Sequence, residues 1–215
     1  MALGVEMEGV REMPIGAHAG DVPRVGRRPS TSRGELEAVA LELFTTRGFD
    51  ETSVEDIAAA VGVGRRTAFR YFASKNDLVW GDFEGELARF RRWFETCPDD
   101  VPLMEAIREA VVAFNQFPRG VEESHRRRMR LILTTPALQA HSTLRYAEWR
   151  GVVTDFAARR LGVPVGALLP RLIGYTALAA AVAAYEQWLR DEGSDLVALL
   201  DEALRAIAGG FAELR

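Results

Sequence analysis

From Ser32 onward in this 215-residue chain, apolar residues recur every three or four positions in segment after segment, with helix-start signals between them and no convincing strand-like alternation. A chain patterned in this way buries its apolar faces helix against helix, so the fold class is all-α. The N-terminal part of the pattern is the most specific. Ser32-x-x-Glu35 is a capping box followed by Leu36, Val39, Ala40, Leu43 and Phe44 on one face, closing at Gly48. Thr52-x-x-Glu55 reads as a second box and opens a helix that carries Val54, Ile57, Ala58 and Val61 on one stripe and stops at Gly62. After the Val63-Gly64 turn a further helix is predicted over 65–72, and two short helices across such a glycine turn form a helix-turn-helix. Ser74-x-x-Asp77 starts a longer helix predicted to run unbroken over 74–96, closed by Pro98. Beyond Pro102, helices are predicted over 103–115, 125–133, 137–161, 165–189 and 195–214, separated by breaks that carry proline or glycine.

The formal net charge of -4 excludes a protein that coats nucleic acid indiscriminately, so any contact with DNA must come from a local basic patch. One exists. Between Gly64 and Lys75 stand Arg65, Arg66, Arg70 and Lys75, with no acidic residue among them. Arg65 and Arg66 open the second helix of the motif, where a guanidinium can bond guanine O6 and N7 together. Thr67 suits a thymine methyl or a phosphate, and Thr52, Tyr71 and Lys75 suit phosphates at the flanks, helped by the helix start near Ser74. The alternative is a solvated arginine face, and Lys75 is the chain's single lysine, so arginine carries the positive charge everywhere. Phe69 and Phe72 are read as core. Arg24, Arg27 and Arg28 precede the first helix and read equally well as a DNA-contacting arm or as a flexible linker.

Other classes find less support. The single cysteine, Cys97, excludes an intrachain disulfide framework and fits a reducing, cytoplasmic setting. Three scattered histidines offer no metal-ligand spacing, and no cofactor is expected. His141-Ser142 and Asp155 lack the surroundings of a hydrolase nucleophile, so no enzyme is expected. The longest apolar run, 172–185, has 14 residues, fewer than the roughly 18 to 20 of a membrane span, and reads as a buried helix. The organisation expected is a disordered leader over 1–23, a helix-turn-helix domain over 24–78, and a helical effector-binding and dimerisation domain over 79–215.

The stretch 40–49, then Thr52-Ser-Val-Glu-Asp-Ile-Ala58, Val61-Gly-Val63, Thr67, Phe69-Arg-Tyr-Phe72 and Ser74-Lys-Asn-Asp-Leu78, resembles the DNA-binding signature of the TetR family of bacterial regulators. Three positions depart from the pattern: Gly64 replaces a frequent serine, Arg66 a frequent glycine or alanine, and Phe69 a usual tyrosine whose hydroxyl would meet a phosphate. More narrowly, Val25-Gly-Arg-Arg-Pro-Ser30, Arg65-Arg66, 76–83, 126–132 and 136–144 resemble the regulators associated with mycofactocin biosynthesis clusters. The resemblance implies a homodimeric repressor on double-stranded operator DNA, released by a small-molecule effector. It also implies an acyl-coenzyme A effector.

The residues allow a reading of the sensing part as well. His125, Arg126, Arg127, Arg128 and Arg130 lead into Met129, Leu131, Ile132 and Leu133, which places cations beside an apolar run. That combination suits an amphiphile with an anionic head and an acyl tail. The alternative is a solvated face paired with Glu122, Glu123 and Glu148. Phe114, Trp149 and Tyr175, with Phe117, Tyr146, Phe156, Tyr185 and Trp188, either line a pocket or pack the core. The segment rich in small residues around Gly174, with the helix after it, is read as the dimer contact. The competing function is an all-α small-molecule-binding or enzymatic protein that does not bind DNA.

Overall fold

The computed structural model describes residues 31–118 and 120–210. The expected leader, the basic residues Arg24, Arg27 and Arg28, and Phe211 in the last predicted helix lie outside the described residues. Within them every regular element is a helix: α1 (Arg33–Arg47), α2 (Val54–Ala60), α3 (Arg65–Tyr71), α4 (Lys75–Trp80), α5 (Phe83–Thr96), α6 (Leu103–Phe114), α7 (Glu122–Thr134), α8 (Pro136–Leu161), α9 (Leu168–Arg190) and α10 (Leu196–Ala208).

The start of α1 is set by Ser32, whose hydroxyl accepts from the Glu35 amide, while Thr31 holds the Glu35 carboxylate at 2.9 Å. Leu36, Ala40, Leu41 and Phe44 point from α1 into the core, each large apolar side chain stabilising the fold by roughly 1.5–3 kcal/mol. The cap of α2 falls one residue later than the sequence pattern predicts. Ser53 and Asp56 form the reciprocal box, and Thr52 is fully buried with its hydroxyl donating to Gly48 O at 2.8 Å. Both Thr52 and Ser53 can cap a helix, and the buried site beneath the α1–α2 turn takes the residue with the extra methyl.

The helix predicted over 74–96 is divided. Asp77 N donates to the Ser74 hydroxyl and Gly85 N to the Asp82 carboxylate, two separate caps, and between α4 and α5 Gly81 takes φ 62°. A Cβ at Gly81 would collide with the Arg128 guanidinium and the Glu37 carboxylate, so this backbone serves as a seat for two side chains from other helices. The C-terminal helices pack around one continuous core that joins Leu36 of α1 to Leu204 of α10. The run 172–185 belongs to a helix of 23 residues, long and apolar enough by length and composition to cross a membrane. Its small-residue face, Gly174, Ala177, Ala180, Ala181 and Ala184, is buried, with α8 and α10 packed against the helix. Gly174 meets Thr154 of α8 so closely that a side chain there would force the helices apart.

Candidate functional site

Two surfaces carry the candidate residues. The first is α3. Gly64 starts this helix without a side-chain cap, and Ala68 and Phe72 anchor it in the core, which turns Arg65, Arg66 and Arg70 outward into solvent with Thr67 at the margin. Arg65 Nε lies 2.8 Å from Glu55 Oε1 of α2, with both side chains more than half exposed. Such a pair contributes at most about 1 kcal/mol and is open to exchange for another anion. Arg66 has no ion pair among the described residues. Phe69, expected in the core, is 39 % exposed and lies beneath the Arg65 guanidinium, 5.2 Å from it. One helical turn separates the two residues, so Phe69 shares the outward face of Arg65.

The flanking candidates are engaged within the protein. The Tyr71 hydroxyl donates to Thr31 O at 2.9 Å, and Lys75 Nζ donates to Phe49 O at 2.8 Å while sitting over the Phe49 ring. Thr52 is enclosed, as described above. Ser53, which the sequence reading passed over, is the exposed hydroxyl at the start of α2. The signal for it was present in the Ser53-x-x-Asp56 spacing.

The second surface is internal. Residues of α5 to α9, with Glu37 of α1 and Trp80 of α4, enclose a cavity of about 330 Å³. Its apolar wall includes Phe83, Phe114, Met129, Ile132, Trp149 and Leu178. Phe114, His125, Arg128, Met129 and Trp149, all proposed from the sequence, are brought together here. Arg126 and Tyr175 are not among the lining residues. Arg126 is buried, donates to Trp188 O and stacks on the Trp188 ring, so it fastens α7 to α9. Tyr175 lies on the outer face of α9, half exposed, with the Arg150 guanidinium over its ring at 4.0 Å. Asn115, Tyr146 and Tyr185 join the lining. Asn115 had no sequence signal at all, since only the tertiary fold brings the end of α6 against α9.

The polar groups of the cavity form two sets. In the first, Asn115, Tyr185 and His125 are linked by hydrogen bonds of 2.5 and 2.8 Å. Burial drives the His125 pKa down to about 4, helped by the charge on Arg128, so the imidazole is neutral at pH 7. Burial likewise pushes the Tyr185 hydroxyl far above its ordinary range, so it stays protonated. In the second, Arg128 lies 3.8 Å from Glu37, whose second oxygen is 3.2 Å from Arg33 Nε, and Arg33 also donates to Gly81 O at 2.9 Å. Glu37, Arg33 and Arg128 thus tie α1, the α4–α5 break and α7 together on the cavity wall. A further tie joins α4 to α8, where Arg145 meets Asp77 at 2.8 Å and His141 lies 3.3 Å from the same carboxylate. Burial works to raise the Asp77 carboxyl, but the Ser74 hydroxyl and the Arg145 guanidinium together hold it below the usual carboxylate range. No cluster of metal-ligating side chains occurs among the described residues.

Comparison with known proteins gives a consistent result. Residues 37–79 match the family model of bacterial regulatory proteins of the tetR family, and residues 101–212 match that of the MftR C-terminal domain. The chain is 44% identical over 191 residues to the mycofactocin biosynthesis transcriptional regulator MftR of Mycobacterium tuberculosis, covering 89% of this chain and 96% of that one. Among solved structures, SmeT, the repressor of the Stenotrophomonas maltophilia multidrug efflux pump SmeDEF, superimposes with a TM-score of 0.59 at 18% identity, covering 83% of this chain and 90% of that one. The Thermus thermophilus repressor FadR in complex with lauroyl-CoA gives a TM-score of 0.54 at 22% identity, covering 83% and 94%.

Proposed function

Since the chain belongs to the TetR family of DNA-binding transcriptional regulators, with a C-terminal domain of the MftR type, we propose that it is an effector-released repressor acting as a homodimer in the cytoplasm. The observation that carries the DNA-binding surface is the outward face of α3, where Arg65, Arg66, Thr67 and Arg70 project from a helix without an acidic residue in a chain of net negative charge. Arg65 and Arg66 read base edges, and Thr67 and Arg70 contact the backbone or the adjoining bases. Two copies of α3 then enter successive major grooves about 34 to 36 Å apart on a pseudo-palindrome. For the dimer contact α9 and α10 are the elements we favour, because Leu168, Leu172 and Tyr175 leave an apolar strip on the outer side of α9.

The effector occupies the cavity behind α7. Its size lies at the low end of the range for small-molecule sites, so it takes an apolar chain and leaves a bulky head group outside. An acyl-coenzyme A fits that division, and the lauroyl-CoA complex of the FadR neighbour supports the choice of class. Occupation shifts the junction of Glu37, Arg128 and Gly81, reorienting α1 and with it α3. A mobility-shift titration on DNA upstream of the gene is expected to give a salt-dependent, sequence-selective complex that acyl-coenzyme A dissolves. Equal binding to unrelated duplexes, or none, would remove the operator assignment. For the effector, a thioester at a hundredfold over its Kd is expected to add about 2.7 kcal/mol of stability, and no stabilisation by any chain length would remove that class.

A further inference from the structure

One group on the cavity wall has its hydrogen-bonding direction fixed by the fold. Asn115 is buried and its Nδ2 donates to Val111 O at 2.8 Å, which leaves Oδ1 as its acceptor on the opposite side. Tyr185 donates its single proton to that oxygen at 2.5 Å. The Tyr185 oxygen can therefore only accept from His125 Nε2, 2.8 Å away, so Nε2 carries the ring hydrogen and Nδ1 is a bare acceptor. Nδ1 has no hydrogen-bond partner among the described residues. The indole N–H of Trp80, another lining residue, is buried and equally without one.

The charged groups on the wall point the same way. Arg128 is the one cation among the described lining residues, beside Glu37, Asp82 and Glu86; Glu37 is shared between Arg128 and Arg33, and Glu86 pairs with Arg89 outside the lining. A carboxylate or phosphate brought into the cavity would find its one lining cation already engaged by Glu37, with the Asp82 and Glu86 carboxylates on the same wall. The part of a ligand that enters is thus uncharged, with an N–H or O–H to meet His125 and an acceptor to meet Trp80. We propose that His125 Nδ1 is the specificity-determining acceptor of this cavity, selecting an uncharged acyl ligand that carries an amide or hydroxyl donor over the free fatty acid of equal length. The proposal rests on the reading that the cavity holds an acyl effector.

Three probes sharing an octanoyl chain test it by calorimetric titration of the full-length protein: the N-acetylcysteamine thioester, which has an amide N–H, the S-ethyl thioester, which has none, and octanoate. The amide-bearing thioester is expected to bind roughly five- to fiftyfold more tightly than the ethyl thioester, the scale of one buried hydrogen bond left unmade, with octanoate weakest. In His125→Leu that preference is expected to fall to within about twofold while the ethyl thioester keeps its affinity, because only the acceptor is lost. Nitrogen-15 shifts of His125 in the unliganded wild-type protein check the tautomer without relying on any variant's folding, and Tyr185→Phe is expected to release it. A hydrogen on Nδ1, or equal affinity of the two thioesters, overturns the proposal and leaves the effector cavity standing. Binding of none of the three by the wild-type protein overturns both.

Discussion

The outward face of α3 and the cavity behind α7 differ in what their side chains do before any ligand arrives. On α3, Arg66 and Arg70 stand in solvent, and Arg65 is held by an exposed ion pair to Glu55 and by the exposed Phe69 ring beneath it. Around the cavity, by contrast, the apolar wall of Phe83, Phe114, Met129, Ile132, Trp149 and Leu178 belongs to the main core or leans directly on it: Trp149 stacks on Phe90, and Phe90 packs in turn on Phe94 and Phe114. The outer site can therefore change its side chains with little effect on folding, whereas the inner site cannot change its walls without disturbing the core. On the proposed function, sequence preference for DNA and selectivity for an effector are thus held under different constraints.

The contrast breaks first, and most visibly, in stability. Phe90→Ala is expected to lose about 3–5 kcal/mol in chemical denaturation, since Phe90 is 2 % exposed at the centre of that aromatic group. If Phe69→Ala on α3 costs as much, the two surfaces are not distinct. Next in size is Arg66→Ala, expected to weaken operator binding by about 1–3 kcal/mol in a mobility-shift titration while leaving the denaturation midpoint unmoved. A change in the midpoint without one in affinity would reverse the assignment of that residue.

Acid should separate the surfaces as well. His125 titrates near 4 in the folded protein against an ordinary value of 6.5, so the unfolded chain takes up the proton first as pH falls. Its contribution to stability is therefore full above the unfolded value and is lost as pH falls from about 6.5 toward 4, amounting to up to about 2 kcal/mol between pH 7 and 5. Asp77 acts at lower pH and does not obscure this window. Denaturation curves across the window are expected to lose that slope in His125→Gln, and persistence of the full slope would place its origin elsewhere. The smallest effect is that of Glu55→Gln, which frees Arg65: stability is expected to hold within about 0.5 kcal/mol, with a modest gain in operator affinity at low salt. A loss of affinity would mean that Glu55 positions Arg65 for DNA.

The same contrast explains what the chain discloses before folding. A helix-turn-helix is local, and its caps, glycine turn and arginine pair lie within a few dozen consecutive residues, so periodicity and spacing reveal it. The misplacements there were narrow. Thr52 and Ser53 exchange the cap, and Phe69 turns outward because it shares a face with Arg65. The cavity draws on residues from Glu37 to Tyr185, and no spacing joins Asn115 to Tyr185. The composition of α7 pointed to the right helix but could not distinguish Arg126, which holds Trp188, from Arg128, which faces the cavity, although they stand two residues apart. The break at Gly81 escaped for a related reason: a glycine in a helical pattern is tolerated until side chains from α1 and α7 claim the space beside it.

Glu37 belongs to the first helix of the DNA-reading half and also to the wall of the cavity proposed for the effector. If the operator-bound and free forms hold Glu37 differently, then by thermodynamic reciprocity the duplex is itself an inhibitor of effector binding, raising the effector's apparent Kd by the same factor by which the effector raises the operator's. The concentration at which the regulator responds in a cell would then depend on how many operators it has to leave, and substitution of this one carboxylate would alter both affinities together.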